Sequence, residues 1–317
     1  MWYKFDLKDI ANLVRKSGVL LALIALVVFL SITSNVFFTT HNILNILRQV
    51  SVNLILSIGT AIVILTGGID VSIGAIMAFS AVVAASLMNS LGILTASILG
   101  IFIGLGIGTM NGLAVGVLGL EPFVVTLSTM LSIRGLAYVY TKGYPVSDIP
   151  GNYAFLGSGY VGFMPLPILL SISIFILALI ILKYTPFGRH IYAIGDNETA
   201  ARLSGINVKM TKTLVYTING GLAAFAGLIL VSRLISAVPT VGMNAPFDAI
   251  AAVVMGGISL SGGKGSLWGM LIGVLLLGTI SNGLNLLRIQ SFWQEVVRGI
   301  VIFIAILIDR LRVSKRL

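Results

Sequence analysis

Long apolar stretches separated by short polar turns are the dominant pattern of this sequence. A transmembrane helix needs about 20 largely apolar residues, and roughly ten stretches approach that requirement. Their boundaries fall near residues 18–35, 43–66, 75–89, 91–118, 123–140, 168–184, 213–236, 249–256, 268–284 and 292–309. The pattern predicts an all-α polytopic membrane protein with about ten transmembrane helices, folded as a single transmembrane domain over residues 1–317.

Two glycine-rich breaks interrupt the apolar stretches without forming full loops. The first, Thr66–Gly74, has the sequence TGGIDVSIG, and the second, Met255–Gly263, has the sequence MGGISLSGG. Their similarity is compatible with a parallel internal repeat. Irregular backbone at membrane depth is tolerated only where it is buried or lines a cavity, and broken helices mark substrate pathways in transporters. We therefore predict that the breaks form a substrate pathway or gate, with tight turns for helix packing as the alternative. The candidate pathway residues are Gly67, Gly68, Asp70, Ser72, Gly256, Gly257 and Ser259.

Composition and charge place the chain in a membrane and argue against nucleic-acid binding. Hydrophobic residues make up 57% of the 317 and charged residues 9%, whereas soluble domains carry about 25% charged residues. The net charge is +10, and most basic residues fall in three clusters, at residues 4–16, 183–212 and 310–316. Ten spans would place all three clusters on one side, which the positive-inside rule makes cytoplasmic. Both termini are therefore predicted to be cytoplasmic, with the main external loop at about 142–167.

The sequence offers little for metal or covalent chemistry. It has no cysteine and only two histidines, His41 and His190, so neither a disulfide framework nor a metal centre is expected. The segment Gly257–Gly265 resembles a phosphate-binding loop, but the pattern G-x-x-x-x-G-K-[ST] begins with glycine and ends with serine or threonine. The chain has Ile258 and Gly265 at those two positions. We therefore predict no catalytic residues, no metal and no cofactor, and any ATP hydrolysis would belong to a separate subunit.

A few ionisable residues fall within or near the apolar stretches, where such residues are functional candidates. Asp70 lies in the first glycine break, and an N-cap of the following helix explains it as well as a substrate contact does. Arg134 lies deeper in its stretch, where the neighbouring Gly135 leaves room for a backbone partner as the alternative. Arg233 is near a helix end, where reaching the membrane surface is the alternative role for its side chain. Glu295 and Arg298, at i and i+3, are expected to pair with each other. These charges are too few for a proton or ion relay, which argues against a secondary carrier.

The most polar and charged interval of the sequence lies between two apolar stretches, at about residues 185–212. Within it Asp196 and Asn197 are suited to a helix N-cap, and Glu198 places acidic charge in the first turn. Gly205 then stands where a helix ends. The pattern predicts a short helix at about 197–204 that lies outside the membrane. A capped, exposed helix needs a surface to dock against, and we expect another chain to provide it.

Several motifs together closely resemble the membrane permease subunit of ribose-type ABC sugar importers, within the superfamily of simple-sugar and branched-chain amino acid permeases. They are Thr66–Gly74 (TGGIDVSIG), Phe187–Gly195 (FGRHIYAIG), Asn197–Asn207 (NETAARLSGIN), Asp248–Gly257 (DAIAAVVMGG), Gly262–Gly265 (GGKG) and Asn282–Leu286 (NGLNL). The similarity runs from about residue 37 to residue 309. The resemblance implies a homodimeric permease embedded in the lipid of a bacterial inner membrane. It also implies two partners, a cytoplasmic ABC ATPase subunit and a periplasmic or lipid-anchored sugar-binding protein.

The resemblance further implies that the predicted short helix is a coupling helix for the ATPase and that the loop at 142–167 is periplasmic. The coupling residues would be Asp196, Asn197, Glu198, Ala201, Arg202 and Gly205. The expected function is import of ribose or a related monosaccharide by alternating access. Two alternatives stay open: a permease of the same architecture for a nucleoside or a branched-chain amino acid, and a stand-alone channel or secondary carrier that needs no ATPase.

Overall fold

The computed structural model describes residues 18–314 of the chain. The basic cluster at residues 4–16 and the last basic residues, 315 and 316, lie outside the described residues. The helices, in chain order, are α1 (Gly18–Thr33), α2 (Thr40–Leu65), α3 (Ile73–Leu91), α4 (Ile93–Gly116), α5 (Pro122–Thr141), α6 (Ala154–Ser158), α7 (Leu166–Tyr184), α8 (Pro186–Asp196), α9 (Glu198–Leu203), α10 (Val208–Leu234), α11 (Ala245–Met255), α12 (Leu267–Leu286) and α13 (Ser291–Ser314). An antiparallel pair of two-residue strands, β1 (Tyr160–Val161) and β2 (Met164–Pro165), precedes α7.

Each of the ten apolar stretches predicted from the sequence contains a helix in the structure. Seven of these helices, namely α2, α3, α4, α5, α7, α10 and α12, are long and apolar enough to cross a membrane. Helices α1 and α11 are apolar but shorter. The prediction of a helical polytopic membrane protein is therefore confirmed, apart from the small β1–β2 hairpin in the loop before α7. The count of ten membrane crossings stays a prediction.

Helix α10 lies inside the bundle and packs closely on α4. A row of glycines in α4 brings the two backbones together, since a Cβ atom at Gly108 would lie 2.4 Å from Tyr216 O and one at Gly112 would lie 2.6 Å from Thr213 O. Small residues at this spacing allow membrane helices to approach closely. The glycine-rich face of α4 therefore serves packing within the chain.

Two helices begin inside the bundle instead of at its surface. Helix α11 has 11 residues, which corresponds to about 16 Å, or roughly half the hydrocarbon thickness of a bilayer. Its start packs on the start of α3, where a Cβ atom at Gly74 would lie 2.1 Å from Gly242 O and 3.1 Å from Pro246 Cδ. The start of α3 is in turn level with the middle of α10, because Asp70 accepts a hydrogen bond from Asn219. Both α3 and α11 therefore start near the mid-depth of the bundle.

Candidate functional site

The first glycine break folds back into the bundle and holds a buried polar network. The Asp70 side chain is fully buried, and its Oδ1 accepts hydrogen bonds from the Ser72 amide at 2.8 Å and the Ser72 hydroxyl at 2.5 Å. Its Oδ2 accepts from Asn219 Nδ2 at 2.9 Å. Asn111 donates to Ser72 Oγ at 2.9 Å and accepts from the Thr129 hydroxyl at 2.6 Å. The network joins the break to α4, α5 and α10, and a satisfied buried network of this kind holds its elements in one arrangement.

This geometry bears on the predicted roles of the first break. The cap position of α3 is Ser72, whose side chain makes no cap hydrogen bond, and Asp70 binds the amide of Ser72 instead of an amide within the helix. The alternative that Asp70 is the N-cap of α3 is therefore wrong. Gly67 has a φ of +78°, and Gly68 lies against the Tyr216 side chain. The part of Gly67, Gly68, Asp70 and Ser72 in a pathway or gate stays a prediction.

The second glycine break forms a compact loop between α11 and α12. A Cβ atom at Gly256 would lie 2.5 Å from Gly269 O, so this glycine allows α11 to pack on the start of α12. Gly257 has a φ of +89°, a left-handed conformation that favours glycine. The Ser259 amide donates to Lys264 O at 3.0 Å and closes the loop. The pathway role predicted for Gly256, Gly257 and Ser259 is likewise still a prediction.

The two breaks meet each other and the end of α8 at one point, which we term the glycine junction (Leu65, Gly67, Gly195, Gly262 and Gly263). The Gly263 amide donates to Leu65 O at 3.0 Å. A Cβ atom at Gly262 would lie 2.8 Å from Gly67 N, and one at Gly195 would lie 1.9 Å from Leu65 O. Three segments that are distant in sequence are thus in direct backbone contact, at a separation that only glycine permits. A single sequence contains no signal for this contact.

The predicted short helix is present as α9. Asn197 has an extended backbone, and its Oδ1 accepts a hydrogen bond from the Ala200 amide at 2.9 Å, as an N-cap does. At the other end Gly205 has a φ of +83° and its amide donates to Arg202 O at 3.1 Å, while the following amide donates to Ala201 O at 3.1 Å. This pair of bonds is a Schellman motif. The helix and its caps are confirmed, and its role in coupling stays a prediction.

Two of the predicted coupling residues hold α9 against its own chain. Ala201 is buried in a small apolar cluster between α8 and the start of α10. Glu198 forms ion pairs with Lys212 at 2.6 Å and with Arg202 at 2.9 Å. These contacts lower the pKa of Glu198, and the hydrogen bond from Lys212 is the largest cause. Glu198 therefore ties α9 to α10 as well as to its own next turn.

The outward face of α9 was only partly identified from the sequence. Arg202 is exposed, as are Thr199 and Ala200, and Leu203 has 85% of its surface exposed. Leu203 was not among the coupling residues predicted from the sequence. Helical geometry would have found it, since Leu203 follows the buried Ala201 by two residues and therefore points roughly 200° away around the helix.

Charged residues inside the bundle have partners in segments that are distant in sequence. Arg298 Nε lies 3.0 Å from Asp248 Oδ1, and Glu295 is exposed, so the expected pairing of Glu295 with Arg298 is wrong. The reason is that Arg298 lies on the side of α13 that packs on α11. Arg134 donates to two carbonyl oxygens of the segment before α11, at 2.5 Å and 2.8 Å. Among the side chains that the structure describes, no three His, Cys, Asp or Glu residues are placed to hold a metal ion.

Comparisons with known proteins connect this architecture to a family. The family model described as branched-chain amino acid transport system / permease component matches residues 42–306. The ribose import permease protein RbsC of Bacillus subtilis is 49% identical over 302 residues, with 94% of each chain covered. The protein of the same name in Escherichia coli K12 is 44% identical over 295 residues, with 92% of each chain covered.

A third relative is the D-allose transport system permease protein AlsC of Escherichia coli K12. It is 38% identical over 292 residues, which cover 91% of this chain and 89% of the relative. No solved structure matches the chain. The family model covers most of the sequence, and the resemblance noted in the sequence motifs is confirmed. The chain belongs to the family of branched-chain amino acid transport system permease components.

Proposed function

We propose that this chain is the transmembrane permease subunit of an ATP-driven bacterial importer of ribose or a closely related monosaccharide. The observation that carries the proposal is the 49% identity to a ribose import permease over 94% of both chains. The permease would lie in the inner membrane as a homodimer, with cytoplasmic termini. A separate ABC ATPase subunit would hydrolyse ATP, and a periplasmic or lipid-anchored binding protein would deliver the sugar.

The structure offers a route by which an ATPase could act on the membrane helices. The exposed side chains of Arg202 and Leu203 give α9 an outward face that no other element of the described chain covers. One residue, Asn197, separates α9 from α8, so a displacement of α9 passes directly to the end of α8. There Gly195 contacts both Leu65 and Gly263. ATPase movement would thus shift both glycine breaks together and change the side of the membrane to which the path is open.

Co-purification tests the coupling face with a matched control. In the test variant, Leu203→Glu places a charge on the outward face of α9. In the control, Phe163→Glu changes an equally exposed residue, at 86% against 85% exposure, in the β1–β2 hairpin on the predicted periplasmic side. We expect the tagged wild type and the Phe163→Glu variant to retain an ATPase subunit in mild detergent and the Leu203→Glu variant to lose it. Loss of the ATPase from both variants, or from neither, would contradict the assignment of α9.

Substrate competition separates the alternatives within the family. Uptake of radiolabelled ribose should be inhibited by excess unlabelled ribose and unaffected by excess leucine or adenosine. Leucine or adenosine uptake without ribose uptake would instead assign the chain to a different substrate class. Ribose uptake that continues after ATP depletion would identify a channel or secondary carrier.

A further inference from the structure

The exposed side of α7 is an apolar stripe that leads to the end of the helix where α8 begins. Leu177, Ile180 and Tyr184 are all exposed, and their spacing of three and four residues places them on one side of the helix. The residues of the opposite side are buried in the bundle, namely Phe175, Ala178 and Leu182. Because α7 is long and apolar enough to cross a membrane, the stripe has the character of a lipid-facing surface.

The end of α7 falls at the level of lipid headgroups. The helix has 19 residues, which corresponds to about 28 Å, and the hydrocarbon core of a bilayer is about 30 Å thick. Tyr184, the last residue of α7, therefore falls at the boundary between acyl chains and headgroups, where tyrosine is enriched. Lys183 lies beside it, with its Nζ 5.2 Å from the centroid of the Tyr184 ring. This end of α7 thus combines an amphipathic ring with a cation.

Helix α8 begins directly beyond this boundary and folds back tightly over the end of α7. A Cβ atom at Gly188 would lie 2.3 Å from Leu182 O, so the contact requires glycine. Thr185 caps the start of α8 by accepting a hydrogen bond from the Gly188 amide at 3.3 Å. The first turn of α8 is thereby held next to Lys183, and Arg189 is exposed there.

The positive charge at this point is not balanced within the described part of the chain. Among the side chains that the structure describes, neither Lys183 nor Arg189 pairs with a carboxylate, since the ion pairs found there join other residues. The N-terminus of a helix also carries partial positive charge on its free amides, so a cation in the first turn of α8 is unfavourable unless an anion is close. The ammonium, the guanidinium and the helix terminus together therefore favour a bound anion.

We propose that the stripe on α7 and the start of α8 form a binding site for an anionic phospholipid, which we term the lipid site (Leu177, Ile180, Lys183, Tyr184 and Arg189). The inference rests on the proposed function, which places this end of α7 in the cytoplasmic leaflet. The acyl chains lie along the stripe, and the phosphate binds Lys183 and Arg189, whose guanidinium donates two hydrogen bonds to phosphate oxygens. A phospholipid matches the apolar stripe and the cationic end together, whereas a soluble partner would reach only the cations.

The lipid site also bears on coupling, because α8 leads from it to the glycine junction. Arg189 is near the start of α8, and Gly195, near its other end, contacts Leu65 and Gly263. A phosphate bound at Arg189 holds the start of α8 at the membrane surface. A displacement of α9 then turns the far end of α8 against the junction instead of moving the whole helix. Anionic lipid should therefore support ATP-driven uptake.

A binding assay on the purified permease with its ATPase subunit tests the lipid site. The complex in neutral detergent is titrated with phosphatidylglycerol and with phosphatidylcholine. The test variant combines Lys183→Gln with Arg189→Gln. The control combines Lys142→Gln with Arg288→Gln, two exposed basic residues of the predicted external loops, so both variants lose the same net charge. We expect the wild type and the control to bind phosphatidylglycerol at least roughly tenfold more tightly than phosphatidylcholine, and the test variant to bind the two lipids with similar affinity.

Three results would overturn the lipid site. A preference for phosphatidylglycerol in the test variant equal to that of the wild type would show that Lys183 and Arg189 do not bind the headgroup. Loss of the ATPase subunit from the test variant, with the control intact, would show that these cations contact protein instead. A third test needs no variant: added salt should weaken the binding of phosphatidylglycerol to the wild type, and a preference that is unchanged at high salt would exclude a charge-based site.

Uptake measurements distinguish this inference from the proposed function. In proteoliposomes that contain the complete transporter, adding phosphatidylglycerol to phosphatidylcholine should raise ribose uptake several-fold in the wild type and the control, and leave it unchanged in the test variant. If the wild type takes up ribose but prefers neither lipid, the lipid site fails and the permease assignment stands. If the wild type takes up no ribose, yet its preference for phosphatidylglycerol depends on Lys183 and Arg189, the proposed substrate fails and the lipid site stands.

Discussion

Substitution of Gly195 by alanine is the sharpest test of the glycine junction. An alanine Cβ would lie 1.9 Å from Leu65 O and 2.4 Å from Gly263 N. Ordinary contacts begin at 3.4 Å, so the backbone must move by about 3.4 − 1.9 = 1.5 Å. Both atoms belong to the 3.0 Å hydrogen bond that joins the two breaks. Overpacking costs about 1–3 kcal/mol and loss of the hydrogen bond about 1 kcal/mol, so we expect a destabilisation of about 2–4 kcal/mol.

The expected functional consequence of Gly195→Ala is loss of coupling. Ribose uptake per assembled complex should fall by about tenfold or more, while the ATPase subunit still binds, because the outward face of α9 is unchanged. Gly106→Ala is the matched control: this glycine lies within α4, and an added Cβ atom there would have no other atom within 4 Å outside its own helix backbone, so alanine should be neutral or slightly stabilising. The assay compares uptake and ATP hydrolysis of both variants in proteoliposomes. Wild-type uptake and wild-type thermal stability in Gly195→Ala would refute the reasoning.

Two further predictions concern the buried network and the ion pairs of α9. Asp70→Asn places the amide of residue 70 against that of Asn219 and should lower the yield of folded protein in detergent. The double variant Asp70→Asn with Asn219→Asp exchanges the two groups and should restore much of that yield. Equal loss of yield in both variants would contradict the assigned hydrogen bond. The pKa of Glu198 in the folded protein lies below its ordinary value of 4.5. Its ion pairs therefore stabilise the protein at neutral pH, and this stabilisation disappears as the pH falls through the folded-state pKa. Because the group is partly exposed, Glu198→Gln should cost less than about 1 kcal/mol at pH 7. The difference in melting temperature between Glu198→Gln and wild type should vanish at the acidic end of a pH series, and a difference that persists there would show that charge is not the cause.

Much of the fold follows from local signals that a single sequence carries. Apolar stretches of membrane-spanning length located the long helices, because helix formation and membrane burial both depend on consecutive residues. The caps of α9 were likewise predicted, since the Asn197 side chain and the left-handed Gly205 act within one helical turn. Helix α8 was missed, although Thr185 accepts a hydrogen bond from the Gly188 amide and Pro186 stands at the start of the helix. A residue such as threonine followed by proline is a usable signal for a helix start.

Contacts between distant segments could not be predicted in the same way. Arg298 was assigned to Glu295 because both lie on one helix, but its partner Asp248 comes from α11, which no pattern places beside α13. The glycine junction joins Leu65, Gly195 and Gly263. The sequence does not distinguish these glycines from glycines that form turns. Such contacts depend on how the helices pack, which the order of apolar and polar residues does not specify.

The measurement that tests the central claim most directly is uptake of radiolabelled ribose by proteoliposomes that contain the purified permease, with its ATPase subunit, its sugar-binding protein and ATP each present or omitted. The account predicts uptake only when all of these components are present, because under the proposed function the chain supplies the membrane path and α9 couples it to ATP hydrolysis by a separate subunit. Ribose uptake by the permease alone, without the ATPase subunit or ATP, would contradict the account and identify a carrier or channel.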